Sequence, residues 1–309
     1  MSSAKRNGGK SRRVGDDPVP AEMDHEEDLD DGSDVAVSDG EDAGDSGSEI
    51  EAVFEGFMPK EGDFHGIKNL LNQLLTGCDV NLSDLADTVL AQPDVSSVLK
   101  VGDADDEVFG VISPLSLKQH SKKPSIQSLR ELILTKCDEF GSVETKARLA
   151  AALGASGKSN VALLVNERMI NLPQELAISL HGALQEDLKE AAKADSTYKF
   201  DQFVIMCKSV ESALRSSKGS TGQKKKKKKA DGASAAAAAE SSDGNEQIFI
   251  NLEDELFLNH CTCSYSFPLS ESTWISRKGG VRERPSRTIM LMTSGQLRQA
   301  WKELEGLLT

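Results

Sequence analysis

The tripeptide Gly157-Lys158-Ser159 has the residue types that end a phosphate-binding loop, so nucleotide chemistry is the first class to weigh. That loop needs a glycine, four residues, then Gly-Lys-Ser/Thr. The required position here is Ala152, and the nearest glycine is Gly154. The context is also reversed. A phosphate loop follows a strand and opens a helix, so that the helix N-terminus meets the anion. Here a helical pattern precedes the tripeptide and a strand pattern follows it. The stretch reads as a helix-to-strand turn. A second set of reactive types is His260-Cys261-Thr262-Cys263. On a strand the two thiols share a face and the imidazole points away. A structural zinc site takes four ligands, usually from two separate pairs, and no second CxxC or HxxxH is present. The reading is a reduced, partly buried cysteine pair on a strand, with no metal. The histidines (His25, His65, His120, His181, His260) sit in no hydrolase setting, and no G-x-S-x-G elbow exists. No catalytic residue, cofactor or metal is assigned, and the chain is read as a non-enzyme.

The densest mixture of polar and apolar residues is VNERMINLPQEL, Val165–Leu176. Asn166, Glu167 and Arg168 are expected to leave a buried strand. Asn171 and Gln174 are expected to cap the next helix, with Pro173 in its first turn. A Glu–Arg pair at the end of a sheet can orient a loop for a partner or form a local ion pair. Asn166, Glu167, Arg168 and Asn171 are the partner-binding candidates.

Charge is segregated along the chain. Between Glu22 and Glu51 lie 14 carboxylates and no Lys or Arg, which equals the net charge of -14 for all 309 residues. The rest is near neutral. A carboxylate-rich arm attracts basic proteins and screens their charge, or serves as a solubilising tail. Ser38 and Ser46 each have a Glu three residues on and are phosphorylation candidates for an acid-directed kinase. Lys224, Lys225, Lys226, Lys227, Lys228 and Lys229 form an uninterrupted basic run, a candidate nuclear import address or a solvated linker. No aromatic residue lies beside the run, which argues against base stacking and sequence-specific nucleic-acid reading.

The elements that must position these residues follow from periodicity. Residues 1–51 carry too little apolar surface to offset chain entropy and read as a disordered arm, basic then acidic. One domain is expected over 52–309, interrupted by a disordered Lys/Ala-rich insertion at 216–245. AVFEGFM reads as a strand. DFHGIKNLLNQLL reads as a helix capped by Asp63 and stopped at Gly77. NLSDLADTVLAQPD reads as a helix capped by Ser83 and ended by Pro93. Val95–Val101 and Val108–Leu117 form a hairpin. Helices are expected at Ser125–Cys137, Glu144–Leu153 and Pro173–Ala194, and strands at Val161–Val165 and Lys199–Lys208. After the insertion come a short strand, a helical turn, another strand, the strand Pro285–Met292 and a closing helix Gly295–Leu308. Hairpins and crossover helices together predict an α/β fold with one mixed sheet flanked by helices.

No run of 18 apolar residues occurs, and the basic N-terminus lacks the apolar stretch of a secretory signal. The five scattered cysteines suit a reducing compartment.

Three groups of segments carry a family resemblance: FEGFMPKEGDFHGIKNLLNQLL (Phe54–Leu75), LLVNERMINLPQELA (Leu163–Ala177), and EDELF, SYSF and RTIML (Glu253–Phe257, Ser264–Phe267, Arg287–Leu291). With the acidic arm, they make the chain resemble the BCCIP family over nearly all of Ala52–Thr309 outside the lysine insertion. The resemblance implies a sheet similar to that of Gcn5-related acetyltransferases. It implies a nuclear protein that shuttles to the cytoplasm and acts in nuclear export and ribosome biogenesis. There it would be a chaperone for a basic large-subunit ribosomal protein, the L-fourteen type, with nuclear transport factors as further partners. Cell-cycle and DNA-repair scaffolding, through a cyclin-dependent kinase inhibitor, is the alternative implied. An atypical acetyltransferase is the other. That superfamily holds acetyl-CoA with Gln/Arg-x-x-Gly-x-Gly/Ala after a strand, and no such motif follows Val161–Val165 or Lys199–Lys208. NERMINLP occupies the turn after Val165 instead.

Overall fold

The computed structural model describes residues 53–102, 107–154, 157, 159–214, 246–269, 274–277 and 281–308. The acidic arm with Ser38 and Ser46, the lysine run Lys224–Lys229 and Lys158 lie outside the described residues. The described residues all belong to one compact unit.

Alternating and continuous apolar runs become the strands β1 (Phe54–Phe57), β2 (Ser97–Val101), β3 (Gly110–Ser116), β4 (Val161–Arg168) and β5 (Gln202–Leu214). They are followed by β6 (Glu246–Phe249), β7 (Cys263–Pro268), β8 (Ile275–Ser276) and β9 (Val281–Thr293). They join in one sheet of order β1-β2-β3-β4-β5-β9-β7, with β6 added to β5 and β8 to β9. β4 and β5 pair in parallel and every other pair is antiparallel. The mixed sheet is as the sequence predicts. A parallel pair needs a crossover, and α5 (Leu176–Ala194) supplies it.

The helices divide between the two faces. α1 (Phe64–Leu74), α2 (Leu82–Leu90), α3 (Pro124–Phe140) and α4 (Val143–Leu153) cover one. There Leu70, Leu71, Leu85, Ile126 and Leu149 pack with Leu163, Val165, Met206 and Ile289 of the sheet. α5, α6 (Leu252–His260) and α7 (Ser294–Leu308) cover the other, where Leu180, Leu184, Phe257 and Trp301 pack on Leu164, Phe203, Ile205 and Met290. Successive strand residues thus serve opposite cores, which is why β4 reads as an unbroken apolar run over its first five positions. Gly66 lets α1 lie close: a Cβ there would sit 2.7 Å from Val108 Cβ.

Four local expectations are corrected. Ser83 does not cap α2; Asn81 does, its side chain accepting from the Asp84 N–H at 3.1 Å, and Ser83 sits inside the first turn. Asp63 precedes α1 but does not cap it with its side chain. Its carboxylate turns inward to the Lys100 ammonium at 2.6 Å and accepts from the Lys60 N–H at 3.0 Å. The expected Asn171–Gln174 cap is absent. α5 begins at Leu176, Asn171 adopts φ +72° in the preceding turn, and Gln174 Oε1 accepts from the Leu252 N–H at 3.4 Å. Finally, the HCTC stretch is no strand: His260 ends α6, Cys261 caps it, and only Cys263 enters β7.

Candidate functional site

The sheet has a notch. β4 and β5 are paired only from Val161–Gln202 to Leu164–Ile205, although both strands continue. From Ser209 onward the same edge of β5 is taken by β6. Met206, Cys207 and Lys208 therefore line one lip of a gap. Asn166, Glu167 and Arg168 line the other, still paired with Ile112, Val111 and Gly110 of β3.

Charged groups seal this notch on both faces. On the α1–α4 side, Glu167 Oε1 accepts from Lys208 Nζ across the gap. Arg287, directly opposite Lys208 in the β5–β9 ladder, adds a second positive charge. It also donates from Nε to Leu74 O at 2.5 Å and from Nη2 to Gln73 O at 2.7 Å. A guanidinium there meets orphan carbonyls at the negative end of α1. Burial lifts the Glu167 carboxyl above its ordinary value, and Lys208 and Arg287 pull against that.

On the α5–α7 side, the Arg168 guanidinium grips Glu253 with both arms, Nη1 to Oε1 and Nη2 to Oε2, the latter at 3.1 Å. Asn166 Nδ2 donates to the same Glu253 Oε1 at 3.1 Å. Glu253 stands in the first turn of α6, where a carboxylate suits the helix dipole. Burial works to raise Glu253, but the Arg168 charge outweighs it and holds the carboxyl below its usual range. Its neighbour Asp254 goes the other way: burial, then the Glu253 charge, push it well above the ordinary value. The stem of Arg168 passes over Gly110, where a Cβ would lie 3.1 Å from Arg168 Cγ.

The candidates Asn166, Glu167 and Arg168 are thus interior residues, 4 %, 1 % and 4 % exposed. The expectation that they leave the strand is corrected, since β4 runs on through Arg168. Their side chains are committed inside the protein, and what they present outward is the loop they anchor. In that loop Asn171 is exposed, as is Ile170 at 63 %. Lys208, Glu253, Asp254 and Arg287 join the site only in the structure. A signal existed: each is a charge set against an apolar run, and a buried charge demands a partner.

The other reactive types are quiet. Burial raises Cys207 well above the ordinary thiol value and Cys261 more modestly. Burial, with Cys261 nearby, pushes Cys263 up to about 12. These remain thiols, poor as nucleophiles and metal ligands. His260 Nε2 lies 2.5 Å from Glu303 Oε2, joining α6 to α7. His181 is buried, and its Nδ1 accepts from Trp301 Nε1 at 3.1 Å, which fixes the neutral Nε2–H tautomer. Near the tripeptide, α4 ends at Leu153, the Gly157 N–H donates to Gly154 O at 3.0 Å, and β4 begins at Val161.

A family model described as BCCIP matches residues 49–257. Among curated relatives, the Protein bcp1 of Emericella nidulans is 30 % identical over 84 % of this chain and 90 % of its own length. The Protein BCCIP homolog of Danio rerio is 27 % identical over 83 % of each chain. The BRCA2 and CDKN1A-interacting protein of Bos taurus is 25 % identical over 83 % of each. Among solved structures, BCP1 from Saccharomyces cerevisiae superposes with a TM-score of 0.53 at 19 % identity, over 85 % of this chain and 93 % of that one. That likeness supports the fold.

Proposed function

Because the chain belongs to the BCCIP family, we propose that it is a non-enzymatic nuclear chaperone and adaptor for a basic ribosomal protein of the large-subunit L-fourteen type. It acts in ribosome biogenesis and nuclear export, and it shuttles between nucleus and cytoplasm with help from nuclear transport factors. The observation that carries this reading is charge segregation. Fourteen carboxylates without a Lys or Arg between Glu22 and Glu51 account for the whole net charge of -14. An anionic segment speeds encounter with a cationic client and suppresses wrong contacts. The non-enzymatic part rests on the notch. If the sheet is of the acetyltransferase type, the parting of β4 and β5 is where a cofactor would enter, and Glu167–Lys208 and Arg168–Glu253 fill it with paired charge. A shared fold does not carry a shared reaction.

The test is a pull-down from nuclear extract at about 0.15 M salt. Full-length protein is compared with a variant lacking residues 1–49 and with one in which Lys224–Lys229 are glutamine. The expected result is recovery of a basic large-subunit ribosomal protein, weaker without the arm. As fluorescent fusions, the glutamine variant is expected to lose nuclear enrichment. Recovery of no ribosomal protein overturns the chaperone reading. Micromolar acetyl-CoA binding by calorimetry overturns the non-enzymatic one.

A second reading has its own support. The bovine relative is called a BRCA2 and CDKN1A-interacting protein, which favours a cell-cycle and DNA-repair scaffold on the same fold. Recovery of such partners in place of a ribosomal protein in the same pull-down would select it.

A further inference from the structure

Away from the notch, at the opposite end of α5, a groove of about 490 Å³ opens between α5, the loop before β5 and the start of α7. Its floor is aromatic: Phe200, Phe203 and Trp301 are buried there and Tyr198 is half-buried. Its rim is cationic, with Lys189 from α5, Lys199 from the loop and Arg298 from α7, all exposed. Lys189 is 3.4 Å from Glu186, the acidic residue of the rim. Neither Lys199 nor Arg298 has a carboxylate partner among the described residues. A net positive rim around an aromatic floor is thus held on a chain of net charge -14.

We propose that this groove is a docking site for a short acidic peptide segment of a partner, carrying one aromatic or aliphatic anchor. The anchor packs on Tyr198, Phe200 and Trp301, and flanking Asp or Glu side chains pair with Lys199 and Arg298. The volume falls within the range of ordinary ligand pockets, roughly 300–1,000 Å³. Exposed pairs alone bind weakly, so the apolar anchor supplies affinity and the rim supplies selection for anionic sequence.

Two features favour carboxylates over a nucleotide phosphate. Phosphate sites use bare backbone N–H groups from glycine-rich turns or a free helix N-terminus. The loop from Asp195 to Asp201 contains no glycine. The N-terminus of α7 is already capped, with Gln296 N donating to Thr293 Oγ1 at 3.2 Å and Thr293 N donating to Gln296 Oε1 at 2.8 Å. This site goes beyond the proposed function and is independent of it, because the client there is cationic and the segment here is anionic.

The test is a panel of short fluorescein-labelled peptides rich in Asp and Glu, each with one central Phe or Leu. They are titrated against the full-length protein by anisotropy. The chain has two tryptophans, so Trp301 emission is read locally in unlabelled titrations of the Trp274→Phe variant. Expected are Kd values on the order of 10 μM with a change in Trp301 emission. The double variant Lys199→Glu, Arg298→Glu is expected to bind at least about tenfold more weakly. It should keep its circular dichroism and gain affinity for peptides with Lys in place of Asp and Glu. Replacing the central anchor by Ala should abolish binding. Absence of binding across the panel overturns the proposal, as does binding that ignores the double variant or the anchor. Displacement by ATP and by inorganic phosphate alike would show a phosphate site instead.

Discussion

Arg168 and Glu253 meet with 3 % and 0 % of their side chains exposed, which makes each the other's only charged substitute for water, with Asn166 as a further donor to Glu253. Removing one partner leaves an uncompensated interior charge, at a cost of about 3–5 kcal/mol, whereas replacing both by apolar groups is often close to neutral. Arg168→Met is therefore expected to lower the urea midpoint sharply, and Arg168→Met with Glu253→Met to recover most of the loss. Equal destabilisation by the single and double variants would show that the pair adds nothing beyond packing. His181 gives a pH signature. Burial pushes its ring down from 6.5 to about 4. Between those two values the unfolded chain binds a proton that the folded chain does not, so stability falls as the pH drops through that window. Above about 6.5 the ring contributes nothing; the full loss is roughly 3 kcal/mol. Ring-proton NMR checks it: His181 should remain neutral until the pH nears 4. Little of this network was legible beforehand. Asn166, Glu167 and Arg168 looked like residues leaving a strand, because their partners Lys208 and Glu253 lie 41 and 85 residues away in sequence. Local pattern cannot see a partner at that separation.

At the scale of elements, the apolar period located helices and strands well and their ends poorly. α3 and α4 fall close to their expected spans, since Ile126, Leu129 and Ile133 mark one face of α3. β4 and β5 are longer than expected, because long-range pairing carries polar residues at their far ends, buried in β4 and half-buried past Ser209 in β5. β8, two residues long, left no signal at all. The start of α2 shows why caps are hard to assign: Asn81 and Ser83 are both good capping types, two residues apart. The structure distinguishes them, so Asn81→Ala should cost about 1 kcal/mol and Ser83→Ala almost nothing. Paired thermal melts decide it; a larger loss from Ser83→Ala would move the helix start.

At the scale of the whole molecule, the mixed α/β fold was legible from the succession of hairpins and crossover helices. Where the charge acts was not, because composition gives its sum and not its geometry. Three interior ion pairs, Asp63–Lys100, Glu167–Lys208 and Arg168–Glu253, are closed within the described residues, so the proposed capture of a basic client by the carboxylates of the arm should decline as salt rises. Removal of residues 1–49 should flatten that decline and slow association more than it speeds release. Surface plasmon resonance across a salt series reports both rates, and an unchanged slope would assign client capture to the sheet and helices alone.

The β5–β9 ladder runs for thirteen rungs, and β6 rejoins β5 with Ser212 opposite Glu246. The two ends of the intervening stretch are thereby pinned as neighbours before its length matters. Doubling a flexible connection between pinned ends costs only about 0.6 kcal/mol. An insertion between ends held this way therefore costs the scaffold little, and the proposed address at Lys224–Lys229 can drift while the architecture stays still.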